Sequence, residues 1–153
     1  MDYPKRKHPR LKAYDYSQTG MYFVTICTEG RSQILSRITD RQVFLSEVGE
    51  ICRSFLNDIP NHYPGVHLDQ YVIMPDHIHI LLWINEIADI GGQRSGRPTL
   101  MNIIHAFKRL TTRASGIDLW QPSFYEHIVR NEADLHEIRT YIQNNPTAWE
   151  LLP

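Results

Sequence analysis

The chain has 153 residues, 42% hydrophobic and 22% charged, with a formal net charge of −1. That describes one ordinary globular domain large enough to bury a core. It speaks against a uniformly basic nucleic-acid binder, and no apolar run reaches the roughly 18 residues of a membrane span. The opening Met1-Asp2-Tyr3-Pro4-Lys5-Arg6-Lys7 lacks the apolar core of a secretion signal. Cys27 and Cys52 lie far apart, without metal-ligand spacing, and read as buried thiols in a reducing cytoplasm. The charge is nevertheless uneven. Lys5, Arg6, Lys7, Arg10 and Lys12 crowd the start, and the acid-free stretch from Gly91 to Ile117 holds Arg94, Arg97, Lys108, Arg109 and Arg113. Such patches suit phosphate contacts, and equally plain solvation.

In chain order, residues 1–20 have no hydrophobic period and read as an extended basic arm. Tyr22 to Thr28 is aromatic and β-branched and predicts the first strand. A helix is expected from near Asp40, with Thr39 and Gln42 at capping-box spacing and Phe44, Val48, Ile51, Phe55 and Ile59 as its apolar stripe, closed by Pro60. After a loop over 61–65, His67 to Met74 reads as a strand. The next strand follows so closely after Pro75-Asp76 that the two should form an antiparallel hairpin. Residues 86–98 read as a mobile loop. Thr99 is a candidate N-cap for a helix over about 100–115 with Leu100, Ile103, Ile104, Phe107 and Leu110 inward. Phe124 to Arg130 predicts another strand, and Asn131 caps a last helix with Leu135, Ile138 and Ile142 inward, stopped by Pro146. A helix after the first strand and another after the third make the split βαβ order of a ferredoxin-like α+β sandwich, with an extra C-terminal helix against the sheet.

The strand after Pro75-Asp76 reads His77-Ile78-His79-Ile80-Leu81-Leu82-Trp83-Ile84. Alternate strand residues share a face, so His77 and His79 stand side by side while Ile78, Ile80, Leu82 and Ile84 cover the other face. Two imidazoles so placed can clamp a divalent cation. They can equally be polar residues on a solvated strand face. On the last helix Tyr141 and Asn145 are four apart and share a face. Asn145 precedes a proline and is expected at the helix end, away from helical dihedrals. A part-buried tyrosine and a C-capping asparagine is the plain alternative.

Met74-Pro75-Asp76-His77-Ile78-His79-Ile80-Leu81-Leu82, followed by Tyr141-Ile142-Gln143-Asn144-Asn145-Pro146, closely resembles the single-tyrosine HUH transposases, and among them the REP-associated tyrosine transposases. Tyr22-Phe23-Val24-Thr25, Trp120-Gln121 and Phe124 to Arg130 are similar too, so the resemblance runs from about residue 8 to residue 149. Asp76 departs from it, since asparagine is more frequent there. The resemblance implies that His77, His79 and the Asn145 side-chain oxygen hold Mg²⁺ or Mn²⁺. It also implies that Tyr141 attacks single-stranded DNA beside short hairpins, leaving a 5′-phosphotyrosine. A phenol titrates near pH 10 and needs a neighbouring cation or base to react at neutral pH. DNA contacts are expected from Lys5, Arg6, Lys7, Arg10, Lys12, Lys108, Arg109 and Arg113. Tyr14 and Tyr16 are candidates for base stacking, with Trp120 and Tyr125 divided between stacking and core packing. His127 is a possible neighbour of the site, and Glu137, one turn before Tyr141, a possible orienting group.

Two other readings remain open from the residues. A cupin-type oxygenase also uses His-x-His, but wants a nearby glutamate and an all-β chain, whereas Glu86 stands seven residues past His79 and helical patterns intervene. A non-catalytic hairpin-binding module derived from a transposase would keep the scaffold without the chemistry. The chain as monomer or homodimer, and a tyrosine serving its own or a partner's histidines, are both compatible with the sequence.

Overall fold

The computed structural model describes residues 20–85 and 99–152. In chain order the elements are β1 (Gly20–Cys27), β2 (Ser36–Thr39), β3 (Gln42–Leu45), α1 (Glu47–His62), β4 (Val66–Ile73), β5 (His77–Ile84), α2 (Leu100–Ser115), β6 (Tyr125–Ile128) and α3 (Glu132–Leu151). The main sheet has the order β4-β5-β1-β6, every neighbouring pair antiparallel. This is the expected ferredoxin-like α+β arrangement, with β5 and β1 at its centre.

Strand parity divides the hydrophobic residues between two cores. Tyr22, Val24 and Ile26 of β1 and Ile78, Ile80, Leu82 and Ile84 of β5 pack against Cys52, Leu56 and Ile59 of α1 and Leu100, Ile103, Ile104 and Phe107 of α2. On the other face Phe23 and Leu81 meet Ile138 and Ile142 of α3 in a smaller cluster. The C-terminal helix therefore lies on the histidine face, with the other two helices behind the sheet. A bidentate pair from Arg139 to Asp69 (2.9 and 2.6 Å) ties α3 to β4.

Caps set the helix starts. The Thr99 side chain accepts from Asn102 N, and that of Asn131 from Asp134 N, as the sequence predicts. The predicted helix from Asp40 is not there. Asp40 (φ 51) and Arg41 (φ 63) are left-handed and turn a two-residue hairpin between β2 and β3, the backbone such turns require. Phe44 sits on β3, 41% exposed, beneath the Arg37 guanidinium, and joins no helical stripe. The cap is Ser46, which accepts from Gly49 N. A Cβ at Gly49 would fall 2.1 Å from the Leu35 carbonyl oxygen, so glycine lets α1 start against the segment that leads into β2.

Neither proline ends its helix. α1 runs past Pro60 to His62, and α3 past Pro146 to Leu151. Each proline forfeits one backbone bond, but residues beyond Pro146 are docked. Trp149 lies against His77, and Glu150 accepts from Arg41 N. Asn145 is consequently a buried helix-interior residue, not a C-cap. β6 is shorter than expected, and Phe124, just before it, belongs to the main core.

Candidate active site

β5 turns His77 and His79 toward α3, and the register Thr25↔His79 and Cys27↔His77 sets β1 side chains beside them. The two imidazole rings are 4.6 Å apart, centroid to centroid. The Tyr141 ring packs 5.3 Å from His79 and 6.1 Å from Phe23. Two turns on, Trp149 comes to 6.3 Å from His77. Asn145, four residues from each, is 8% exposed. One face of α3 thus carries tyrosine, amide and indole along the imidazole pair of the same chain.

The hydrogen bonds around the rings bear on their chemistry. His79 is 5% exposed, and its Nδ1 lies 2.8 Å from Thr25 Oγ1. Its Nε2 is buried with no hydrogen-bond partner among the described residues. Burial pushes the His79 imidazole well below its usual range, and repulsion from His77 and Arg31 acts the same way. It is neutral at pH 7. His77 Nδ1 is 2.7 Å from Asp76 Oδ1, while Asp76 Oδ2 accepts from Arg31 Nε at 3.1 Å. Burial raises the Asp76 carboxyl, but the bonds from His77 and Arg31 outweigh it and hold the group below the ordinary carboxylate range. A carboxylate only accepts, so His77 Nδ1 carries a hydrogen, and Nε2 is the nitrogen whose lone pair a metal would use.

An unpartnered buried nitrogen costs about 1–3 kcal/mol. Two imidazoles, each held through Nδ1 with Nε2 left for another partner, are the arrangement metal-binding histidines show. The donor set fits a divalent cation. Among the described residues no three His, Cys, Asp or Glu side chains converge, so an ion held here would need amide or substrate oxygens as well.

Other sequence candidates fall elsewhere. Lys108 Nζ donates to the carbonyls of Gln121 (2.6 Å) and Ser123 (3.1 Å), holding that loop. Arg109 and Arg113 stay exposed and line an open groove of about 490 Å³ with His105, Asp118 and Pro122. Trp120 is 6% exposed and donates from Nε1 to Thr111 Oγ1, a core residue closed to base stacking. Tyr125 is half-buried and Glu137 exposed. His127 Nε2 pairs with Asp134 at 2.7 Å. Lys5, Arg6, Lys7, Arg10, Lys12, Tyr14, Tyr16 and the loop 86–98 lie outside the described residues.

Sequence reasoning passed over Thr25, Arg31 and Trp149, and saw Asp76 only as a departure from a pattern. Strand parity from Thr25 and the i+4, i+8 spacing of Asn145 and Trp149 from Tyr141 were usable signals. The second was hidden by ending the helix at Pro146.

Fold and site together define a ferredoxin-like α+β domain with a paired-histidine site covered by a tyrosine-bearing helix. Residues 22–145 match the family described as transposase, IS200 like, and the chain belongs to that family. It is similar to an uncharacterised protein of Haemophilus influenzae, 33% identical over 95% of this chain and 90% of that one. It is also similar to the REP-associated tyrosine transposase of Escherichia coli K12, 28% identical over 86% of this chain and 68% of that one. Among solved structures, a REP-associated tyrosine transposase bound to a REP hairpin shares the fold, with TM-score 0.68 and 23% identity, over 94% of this chain and 76% of that one. Among the described residues no helix is long and apolar enough to cross a membrane.

Proposed function

We propose that this protein cuts and rejoins single-stranded DNA beside hairpins, with Tyr141 as nucleophile and with His77, His79 and Asn145 as ligands of a Mg²⁺ or Mn²⁺ ion. One observation carries the reading: the Tyr141 ring packs on His79, whose buried Nε2 has no partner among the described residues. The names of the relatives and the hairpin in the similar structure support the choice of DNA.

Tyr141 Oη attacks the phosphorus. The P–Oη bond forms as the P–O3′ bond breaks, the phenolic proton leaves to solvent, and the departing 3′ oxygen takes up a proton. The product is a 5′-phosphotyrosine and a free 3′-hydroxyl. A second 3′-hydroxyl reverses the step and rejoins the strand, because the phosphodiester is exchanged and not hydrolysed. Phe23 and His79 hold the phenol ring edge-on. Thr25 and Asp76 hold the imidazoles, and Asn145 presents an amide one turn along the helix. A bound ion supplies Lewis-acid polarisation of the phosphate. Lys5, Arg6, Lys7, Arg10, Lys12, Arg109 and Arg113 meet backbone phosphates, while Tyr14 and Tyr16 stack on unpaired bases.

The test is a labelled DNA hairpin with single-stranded flanks, incubated with protein and Mn²⁺ and run on a denaturing gel. A covalent band that disappears with Tyr141→Phe and with chelator is expected. Hairpin binding without any covalent band would establish a binding module in place of the enzyme.

A further inference from the structure

Arg31 stands in the short turn after β1 with φ 53, a left-handed dihedral uncommon outside glycine and asparagine. Neighbouring bonds impose it. Thr28 N donates to the Asp76 carbonyl (3.0 Å), its Oγ1 lies between that carbonyl (3.1 Å) and that of Ser32 (2.8 Å), and Leu35 N donates to the Pro75 carbonyl (3.0 Å), stitching this turn to the one between β4 and β5. From there the side chain reaches onto the histidine face. Nε donates to Asp76 Oδ2 (3.1 Å), and Nη1 lies 3.4 Å from the sulfur of Cys27, the cross-strand neighbour of His77. Among the described residues nothing takes up Nη2, and the side chain is 46% exposed.

Partnering the buried Asp76 carboxylate does not by itself explain this arrangement, since a neutral donor could do that. The guanidinium itself is 46% exposed, which screens its charge, and a left-handed non-glycine residue is strained. What it achieves is a guanidinium bound through Nε to the carboxylate that orients His77, close enough to disfavour charge on His79, with Nη2 left over. A planar, permanently charged fork with donors to spare is the group that recognises a phosphate. We propose that Arg31 is a phosphate-binding residue of this site, its Nη2 taking a non-bridging oxygen of the phosphodiester that Tyr141 attacks. The assignment rests on the strand-transfer reading above, and no comparison gives Arg31 a role.

The test uses the full chain with Tyr141→Phe, which cannot form the adduct, and labelled hairpins whose flank carries one neutral methylphosphonate linkage at successive positions. The Tyr141→Phe protein is expected to lose about ten- to a hundredfold in affinity at one linkage, the range of a charge-assisted bond. Arg31→Gln in that background keeps a donor for Asp76 but no charge. It should weaken binding of natural DNA by the same factor and become indifferent to the neutral linkage, while Mn²⁺ affinity without DNA holds. Arg53→Ala, on the far helix α1, should change neither. Arg31 loses the role if Arg31→Gln still discriminates against the neutral linkage, or if its only deficit is weaker Mn²⁺ binding. Adduct formation by the wild type is read separately. An adduct with unaltered discrimination in Arg31→Gln removes Arg31 alone, while Arg31-dependent discrimination without an adduct removes the Tyr141 chemistry alone.

Discussion

Replacing Thr25 by valine keeps the side chain's shape and removes one hydroxyl. That hydroxyl is the partner of His79 Nδ1 at 2.8 Å, on a residue only 5% exposed whose Nε2 is already buried without a partner among the described residues. With no metal the variant buries both ring nitrogens unsatisfied, at about 1–3 kcal/mol. In a domain of this size that lowers Tm by roughly 2–10 °C. The hydroxyl also offers Nδ1 an acceptor when Nε2 gives its lone pair to a metal, and losing such an outer-shell partner weakens metal binding about 10–100-fold. At an Mn²⁺ concentration 100 times the wild-type Kd, the ion stabilises wild type by about 2.7 kcal/mol, and the variant by only about 0.4–1.4 kcal/mol. Thermal melts of both proteins with and without Mn²⁺ measure all of this. Equal Mn²⁺-induced shifts would refute the argument that His79 Nε2 is a ligand held through Nδ1.

Asp76→Ala strips His77 and Arg31 of a shared acceptor and should cost about 10–100-fold in Mn²⁺ affinity by titration calorimetry; an unchanged Kd would mean His77 is oriented by something else. Arg139→Ala breaks an exposed pair and should cost no more than about 1 kcal/mol in urea unfolding, with Asp69→Arg/Arg139→Asp recovering most of it. A larger, unrecovered loss would show that α3 depends on this clamp more than on its apolar contacts. Burial pushes the Cys52 thiol up to about 12, so native protein should leave it unalkylated by iodoacetamide at pH near 8. The sign follows from a raised folded value. The stability Cys52 contributes is whole below the ordinary 9.0 and declines as pH rises from there toward 12, so Cys52→Ala should flatten the alkaline stability profile. Rapid alkylation of the native thiol would contradict the burial.

Much of this was legible in the residues because a local rule and the tertiary structure agreed. Strict alternation from His77 to Ile84 required two histidines on one face and isoleucines on the other, and Thr99 and Asn131 had the chemistry of the caps they form. The misreadings came where local rules competed. Thr39 and Gln42 carry capping-box spacing, yet Asp40 and Arg41 accept left-handed dihedrals and the alternating side chains around them pair as a hairpin. Pro146 is a helix breaker by propensity, but contacts made by Trp149 and Glu150 lie beyond it and carry the helix on. That mistake hid Trp149 and misplaced Asn145. The links from Arg31 to Asp76 and from Thr25 to His79 span 45 and 54 residues, and only register and turn stitching bring those groups together.

The central claim is that the phenol of Tyr141 becomes covalently joined to DNA at the histidine pair. Intact protein carrying a trapped strand, digested and mapped by mass spectrometry, reads this directly. The account predicts a nucleotide phosphate on the peptide containing Tyr141, formed only with Mg²⁺ or Mn²⁺ and lost in His79→Ala. A phosphate on another residue, or an adduct undiminished when both His77 and His79 are alanine, would contradict it.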